Sequence, residues 1–395
     1  MKVKNVPIKL NVSRLSNEMN YLLKLLEDES SISQNPIPIN DDFDWGAFID
    51  LVKHHRLYPQ LYPKVKQGQT VVPTYVSEGI TKLYEANIFH MLHLTKEMEA
   101  VGKIFAENDI PMLHLKGPML AKKLYGDLSL RTSGDLDILI PIKDLGIAEK
   151  LLVAEGYRKD EYIMTVLNDW KWRHHHFTYV HPQKQVKIEI HWRLNPGPGL
   201  EPAFKELWER RETEVIGGLP VHTLGVEDLF VFLISHGSRH GWSRLRWLLD
   251  IHQMLKLPMD HHFTIRLLRK FHSTQLGGQA MILSSQLLSS KIPREYDRIL
   301  CHNKSMQLAE GTIFYLERMI NLHSLPLSEE ISTYHKKYIF SLKSFFQKGL
   351  SFFSYFYPYP EDALAMPLPK VLHLLYFPLR PMIWLWRKTK KSALT

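Results

Sequence analysis

The spacing of apolar residues changes twice along this chain, and that change limits the fold more than any other feature of the sequence. Residues 43–61 and a stretch from 73 or 75 to about 107 repeat apolar side chains every three or four positions, which predicts helices. From 108 to 222, short apolar runs bounded by glycine and proline alternate with helical stretches. The helical spacing returns from 225 onwards. We therefore predict an α+β protein with a small mixed-sheet core at 108–222, an N-terminal helical region at 1–107 and a C-terminal helical domain at 223–395.

Length and charge narrow the class of protein further. The 395 residues, 45% of them hydrophobic, exceed what one core usually supports, so two or three domains are expected. A net charge of +9 suits an anionic partner such as a nucleotide, a phosphorylated molecule, nucleic acid or an acidic membrane surface. The single cysteine, Cys301, excludes an internal disulfide framework. Because residues 1–20 also lack the apolar core of a secretory signal, we expect a cytoplasmic protein.

The C-terminal tail, residues 371–391, is aromatic and then basic. Pro378, Arg380 and Pro381 interrupt it, so no membrane-spanning helix is predicted there. Two interpretations stay open. The tail packs on its own domain, or it makes a peripheral contact with the inner face of the membrane, with Trp384 and Trp386 at headgroup level.

Two stretches place carboxylates on the faces of predicted strands. In RTSGDLDILIP, residues 131–141, Asp135 and Asp137 are two positions apart, so a strand points both to the same side. In VKIEIHWRL, residues 186–194, Glu189 lies on the polar face. If these strands are neighbours, the three acids form a cluster whose repulsion two divalent cations would relieve, and two-metal sites perform in-line displacement at phosphorus. The alternative is an ordinary half-exposed face whose acids pair with lysine or arginine.

A strand, a glycine turn and a helix precede the acids. The apolar run at 110–115 ends at Lys116 and Gly117, and Pro118 suits the first turn of a helix that runs to 125. Backbone amides that open a helix are a natural seat for phosphate. Lys116, Arg131 and Ser133 lie close enough in sequence to hold triphosphate oxygens as well.

The blocks LHLKGPMLAKKLYGDLSLRTSGDLDILI, VKIEIHWRL and HGSRHGWSRLRWLLDI resemble an uncharacterised bacterial nucleotidyltransferase family of the polymerase-β-type superfamily, often found near polysaccharide or peptide-modification genes. The resemblance spans about 45–387. It implies phosphate binding at Gly117, two Mg²⁺ or Mn²⁺ ions on Asp135, Asp137 and Glu189, and an NTP substrate. Two departures stand out: Pro118 replaces the common Gly or Ser, and the gap from Gly117 to Asp135 is longer than usual.

Other polar groups offer alternatives. His236 and His240, four apart on a predicted helix, have zinc-ligand spacing but no convincing third ligand. A polar seam of His240, Arg244, Arg246 and Asp250 is expected to face the cleft and bind base, phosphates or acceptor, although Arg246 and Asp250 equally suit a structural (i, i+4) pair. The run WKWRHHHFTYVHP, residues 170–182, is typical of nucleic-acid binders or of an edge strand. Without a recognisable nucleic-acid-binding module, nucleic acid is not the expected substrate.

The sequence therefore predicts an enzyme that moves an NMP group from an NTP to a hydroxyl or phosphate of a small-molecule, glycan or peptide acceptor. Two alternatives remain. One is a glycosyl or other group transferase on the same scaffold that acts on a phosphorylated peptide or glycan, and the other is a non-catalytic nucleotide-binding regulator. The acids are predicted to hold Mg²⁺, and Glu189 to accept the acceptor's proton. The predicted nucleotide-binding or acceptor-binding residues are Lys116, Gly117, Arg131, Ser133, His191, His240 and Arg244.

Overall fold

The computed structural model describes residues 9–27, 39, 42–70, 72–160, 163–324 and 326–392. The α-helices of this part of the chain are α1 (Asn17–Leu25), α2 (Trp45–His55), α3 (Tyr58–Lys66), α4 (Thr74–Glu107), α5 (Pro118–Tyr125), α6 (Leu145–Ala154), α7 (Trp170–Arg173), α8 (Phe204–Glu209), α9 (Val226–Arg239), α10 (Leu245–Met254), α11 (His261–Lys270), α12 (Thr274–Leu288), α13 (Asp297–Leu300), α14 (Asn303–Glu317), α15 (Glu329–Leu342), α16 (Phe345–Ser354), α17 (Pro360–Ala365) and α18 (Tyr376–Ser392). The strands are β1 (Leu113–His114), β2 (Leu136–Leu139), β3 (Arg158–Lys159), β4 (His176–His181), β5 (Val186–His191), β6 (Glu212–Ile216) and β7 (Leu219–Thr223).

The strands form one mixed sheet in the order β3-β4-β5-β2-β1-β7-β6. β2 is parallel to β5 and β1 to β7, while the other pairs are antiparallel. The α+β class predicted from sequence is confirmed, with a seven-stranded mixed sheet. The parallel pair at the centre of the sheet is what brings the two acid-bearing stretches together.

One apolar core lies between the sheet and the long helix α4. Buried residues of α4, among them Met98 and Phe105, belong to the same cluster as Ile138 of β2 and Ile188 and Ile190 of β5. Period-two alternation puts these isoleucines on one side of the sheet, so the polar residues between them face the other side. The core thus fixes which face of β2 and β5 carries chemistry.

A second apolar core joins the two helical regions. Phe48 and Leu51 of α2 share one buried cluster with Leu248 of α10 and Leu283 of α12. Both helical regions therefore pack together beside the sheet. The division of the chain at 107 and 222 stays a prediction.

The loop before β2 is held from both sides. From α4, Asn87 donates a hydrogen bond to the carbonyl of Ser129 (2.8 Å), and Nε2 of His90 lies 2.8 Å from the carbonyl oxygen of Ser133. From α10, Arg246 donates to the carbonyl and hydroxyl of Thr132. The chain therefore enters β2 in a fixed position.

None of the helices in the described ranges is both long and apolar enough to cross a membrane.

Candidate active site

Three carboxylates meet on one face of the sheet. Asp137 of β2 is the direct register partner of Glu189 on the parallel strand β5, and Asp135 lies two positions before Asp137. The ammonium of Lys187 bridges two of them, 2.7 Å from Oδ2 of Asp135 and 2.9 Å from Oε1 of Glu189. The structure therefore brings together all three acids named from the sequence, with a lysine between two of them.

Asp137 is the most buried of the three, with 1% of its surface exposed. Its Oδ1 lies 3.1 Å from Nζ of Lys116 and 3.1 Å from Nε2 of His191. Its Oδ2 is buried and has no hydrogen-bond partner in the described chain. Burial alone would raise the pKa of Asp137, but the Lys116 charge and the His191 hydrogen bond outweigh burial and hold the pKa below its ordinary value.

His191 links two of the acids. Its Nε2 also lies 3.6 Å from Oε2 of Glu189. Burial lowers the pKa of His191, but hydrogen bonds to Asp137 and Glu189 outweigh burial and raise it overall. The Glu189 pKa is held well below its usual range, because the His191 hydrogen bond and nearby imidazoles outweigh burial and the Asp135 charge.

Two further histidines border the acids, and sequence reasoning treated them only as part of a basic, aromatic run. β4 pairs antiparallel with β5 so that His176 lies opposite His191, and the His175 ring centroid is 5.4 Å from that of His191. Burial lowers the pKa of His176 to about 4 and also lowers that of His175. Both imidazoles are therefore neutral near pH 7, the form in which histidine binds metals.

These side chains fit a divalent cation. Asp137, Glu189 and His191 each offer a ligand atom, and the three atoms lie within 4.8 Å of one another. The unpartnered Oδ2 of Asp137 is a buried acceptor for which a cation would compensate. A carboxylate-rich donor set of this kind is typical of Mg²⁺ or Mn²⁺ sites.

The glycine turn abuts the acids. Gly117 is the N-cap residue of α5, with φ 79° and ψ −146°, and an added Cβ would lie 3.6 Å from the carbonyl oxygen of Asp135. Lys116 before it points its ammonium at Asp137. The hydroxyl of Ser133 donates to the same carbonyl of Asp135 (3.0 Å). The N-terminus of α5 therefore lies directly beside the strand that carries the aspartates.

A sequence profile of the family described as "Uncharacterised nucleotidyltransferase" matches residues 41–289. The chain belongs to this nucleotidyltransferase family. No curated protein matches the sequence.

Two solved structures are similar in part. The antibiotic-resistance factor ANT(2'')-Ia, known from a solution structure, is 12% identical, with a TM-score of 0.34 over 47% of this chain and 93% of that chain. An antigenic nucleotidyltransferase-like protein from Paracoccidioides brasiliensis is 17% identical, with a TM-score of 0.31 over 51% of this chain and 94% of that chain.

In this member of the family, the structure corrects the role expected for Arg131. Its Nε lies 2.9 Å from Oδ1 of Asp250 and its Nη2 2.9 Å from Oδ2, and only 1% of the residue is exposed. Burial lowers the pKa of Arg131, but the charge and hydrogen bonds of Asp250 outweigh burial and raise that pKa overall. Arg131 therefore joins the loop before β2 to α10, and its guanidinium is engaged there and not available for triphosphate. Asp250 pairs with this distant arginine and accepts from the hydroxyl of Tyr125 (3.0 Å), which replaces the Arg246–Asp250 pair considered from sequence.

Other arginines carry the positive charge near the acids. Arg239, at the end of α9, has a pKa lowered by burial to about 10, although Glu189 and Asp137 raise it in part. Arg56 caps α2 with φ 56°, and its Nη1 lies 3.8 Å from where a Cβ on Gly134 would stand. Within the described residues, Nη1 of Arg239 and Nε of Arg246 are buried without hydrogen-bond partners. Sequence reasoning missed Arg56 and Arg239, because no local spacing links them to the acids.

His240 and Arg244 lie in a neighbouring polar layer. The His240 ring centroid is 4.6 Å from that of His236 and 5.1 Å from that of Trp247, and burial lowers the pKa of both histidines. Among the groups of possible metal ligands in the described chain, neither histidine appears. Arg244 donates to Oδ1 of Asn321 (3.3 Å), and burial lowers its pKa to about 10. Among the described residues, no hydrogen bond or ion pair joins His240 or Arg244 to the three carboxylates.

Proposed function

We propose that this chain transfers a nucleotidyl group from an NTP to a hydroxyl or phosphate of an acceptor and releases pyrophosphate. The observation that carries the proposal is the convergence of Asp135, Asp137 and Glu189 beside the N-terminus of α5. Membership of a nucleotidyltransferase family supports the reaction class. The acceptor would be a small molecule, a glycan or a peptide.

The three acids would hold Mg²⁺ or Mn²⁺, as one ion or two. When bound, the cation neutralises phosphate charge and activates the attacking oxygen. The Lys187 ammonium, held between Asp135 and Glu189, supports a cation-binding role, since it occupies a point where positive charge is favoured by two carboxylates.

Positive side chains around the acids would orient the triphosphate. Arg239 and Arg56 are the best candidates, because neither forms an ion pair within the described residues and both are partly desolvated. Such cations gain more from an anionic ligand than solvated ones do. Lys116 and the backbone at Gly117 would add further contacts from the start of α5.

Glu189 would receive the acceptor's proton, since its side chain retains 17% exposure while that of Asp137 has 1%. Its depressed pKa makes it a weak base. We therefore assign most of the rate enhancement to electrostatic stabilisation of the transferring group and a smaller part to proton transfer. The helical region after residue 222 would close over the face of the sheet that carries the acids, with Arg131 and Asp250 joining it to the loop before β2.

The test is nucleotide turnover by the full chain. Each NTP, labelled on the α-phosphate, is incubated with divalent cation and pools of sugar phosphates, glycans and peptides, and both pyrophosphate release and label transfer are followed. Asp137→Asn should lower transfer about a hundredfold or more. Glu209→Gln, an exposed change on α8, is the matched control and should keep wild-type turnover.

Three outcomes contradict the proposal. NTP binding without pyrophosphate release would indicate a nucleotide-binding regulator. Transfer of sugar from a labelled nucleotide-sugar, with no transfer from any NTP, would indicate a glycosyltransferase. Full activity in Asp137→Asn would remove the assignment of the acids.

A further inference from the structure

We propose that the cation site takes a first-row transition-metal dication such as Mn²⁺ in preference to Mg²⁺, because imidazoles complete its donor set. This inference rests on the proposed function for the location of the metal but concerns the identity of the ion. His175, His176 and His191 are the residues that distinguish the site from one built of oxygen ligands alone.

The three histidines form a second ligand group that shares a residue with the first. Ligand atoms of His175, His176 and His191 lie within 4.8 Å of one another, as do those of Asp137, Glu189 and His191. Nδ1 of His191 is buried and, like Oδ2 of Asp137, has no hydrogen-bond partner among the described residues. His191 is 3% exposed and Asp137 1%. Two buried atoms that can ligate a metal, both without a hydrogen-bond partner in the described chain, indicate a site made for a ligand.

The pairing of β4 with β5 positions His176 beside His191 and Glu189. The antiparallel register of β4 and β5 places His176 opposite His191, and Nε2 of His176 lies 3.8 Å from Oε2 of Glu189. An imidazole from one strand and a carboxylate from the next therefore face the same space. No large rearrangement of the sheet is needed for both to reach one ion.

Ligand chemistry gives the direction of the preference. Mg²⁺ takes oxygen ligands and keeps several waters, whereas imidazole nitrogen suits transition-metal dications, of which Mn²⁺ is the one that also suits carboxylates. At a site selective for Mg²⁺, water or carboxylate oxygen would be a better ligand than the nitrogen atoms of these histidines. The alternative role for His175 and His176 is donation of hydrogen bonds to phosphate, which would leave Mg²⁺ and Mn²⁺ equivalent.

Metal binding without nucleotide tests the inference. Equilibrium dialysis of the full chain should give tighter binding of Mn²⁺ than of Mg²⁺, and the electron spin echo spectrum of bound Mn²⁺ should show coupling to imidazole nitrogen. His176→Gln should weaken Mn²⁺ binding about tenfold and reduce that coupling, with Mg²⁺ binding little changed. His262→Gln, on the exposed side of α11, is the control and should behave as wild type.

Equal affinities for the two ions, or a Mn²⁺ spectrum without nitrogen coupling, would overturn the inference and leave nucleotidyl transfer standing. Tight Mn²⁺ binding with nitrogen coupling in a protein that transfers no nucleotide would support the metal assignment and contradict the proposed reaction. The two failures are therefore distinguishable.

A second, independent inference concerns the chain beyond the family match. Among the described residues, seventeen of the twenty-eight exposed large hydrophobic side chains lie between 345 and 386. They include Phe345 (95% exposed), Phe353 (70%), Val371 (86%) and Met382 (69%). We propose that residues 345–392 dock this protein on the surface of an anionic phospholipid bilayer.

The net positive charge of residues 345–392 favours an anionic lipid surface over an apolar protein partner. Residues 345–392 contain seven lysines and arginines but only two acids, Glu361 and Asp362. Asp362 is 1% exposed and lies 2.8 Å from Nη1 of Arg387, so little negative charge reaches solvent. Exposed aromatic and aliphatic side chains followed by basic ones are typical of helices that lie in the membrane interface.

The segment is attached to the catalytic region. Tyr376 and Ile383 of α18 are buried in one small cluster with Val166, in the chain just before α7. Arg173 of α7 also donates to the carbonyl of Tyr357 (3.3 Å). A membrane contact through this segment would therefore hold the active site near the bilayer, where a lipid-linked or membrane-bound acceptor could be reached.

Vesicle sedimentation of the full chain tests this inference. The protein should pellet with vesicles containing phosphatidylglycerol, bind phosphatidylcholine vesicles much less, and lose binding at high salt. Phe352→Ser combined with Phe353→Ser should reduce binding, while the control pair Phe89→Ser and Leu92→Ser, exposed on α4, should not. The inference would be overturned if the protein did not bind vesicles, or if both double variants lost vesicle binding equally. It would also be overturned if the protein self-associated and only the Phe352 and Phe353 replacements abolished that self-association.

Discussion

Asp137 and Glu189 are direct register partners on the parallel strands β2 and β5, so the ladder of backbone hydrogen bonds sets their separation. Asp137 is buried, and Glu189 is held beside it with Lys187 on its other side. The sheet therefore supports a cluster of negative charge that the side chains alone would oppose. Without a metal ion, the stability of this cluster depends on the ammonium groups of Lys116 and Lys187, which pair with its carboxylates.

Replacing Lys187 tests that dependence. In Lys187→Met, Asp135 and Glu189 lose the ammonium that bridges them, and we expect the free energy of unfolding in chelator to fall by about 1 kcal/mol, because the lysine is partly solvated. Added Mn²⁺ should raise the melting temperature of the variant more than that of wild type. Lys205→Met, at an exposed ion pair with Glu209, is the control. Equal metal-induced shifts in all three proteins would show that the bridge and the cation do not share a site.

Gly117 should be sensitive to a single methyl group. Its φ of 79° with ψ of −146° lies in a region that is essentially restricted to glycine, although the space around an added Cβ is ordinary. We expect Gly117→Ala to cost about 1–3 kcal/mol of stability, or to tilt the start of α5 and weaken NTP binding. Gly146→Ala, in α6 with open space around the new Cβ, should be neutral or stabilising. Thermal unfolding and NTP titration measure both effects, and equal behaviour of the two variants would contradict the strain argument.

The alternation of side chains made much of the site predictable. Because strand faces alternate, Asp135 and Asp137 had to share a side, as did Glu189 and His191. The residues between them, Leu136 and Ile190, lie in the core on the other side of the sheet. Gly117 and Pro118 likewise indicated the start of α5. Adjacency of β2 and β5 did not follow from spacing, and it came from the family resemblance.

Other features depended on distant parts of the chain. Arg131 and Asp250 are 119 positions apart, and nothing local in either segment indicates that they pair. Arg239 approaches the acids only because α9 packs beside the sheet. The hairpin of β6 and β7 was also missed, although Gly217 and Gly218 between its strands, with φ of 58° and 82°, are a recognisable turn signal.

The buried pair of Arg131 and Asp250 should be strongly coupled. Removing either partner leaves an uncompensated charge, so Arg131→Met and Asp250→Leu should each lower the free energy of unfolding by about 3–5 kcal/mol. The double variant should lose much less free energy of unfolding than the sum of the two single losses, because neither charge is then left alone. Denaturant unfolding of all four proteins measures the coupling. Additive losses would show that the pair acts through packing and not through charge.

Buried neutral histidines should make the protein sensitive to acid. His114 of β1 is 2% exposed, and burial, with a smaller effect of His222, lowers its pKa to about 4 from an ordinary 6.5. The unfolded chain therefore binds a proton as the pH falls through about 6.5, whereas the folded chain does not until about 4. The contribution of neutral His114 to the free energy of unfolding is therefore fully present above pH 6.5 and declines between pH 6.5 and about 4. Below that range it has fallen by about 3 kcal/mol.

Replacing His114 with leucine isolates that contribution. His114→Leu removes the titrating ring, whose Nε2 has no hydrogen-bond partner in the described chain, and keeps a similar apolar volume in β1. The free energy of unfolding of the variant should therefore fall less steeply between pH 6.5 and about 4 than that of wild type. His262→Leu, at an exposed position of α11, should keep the wild-type slope. Parallel pH profiles for wild type and His114→Leu would mean that His114 is not the buried neutral group, because only a group whose proton affinity changes on unfolding can alter the slope.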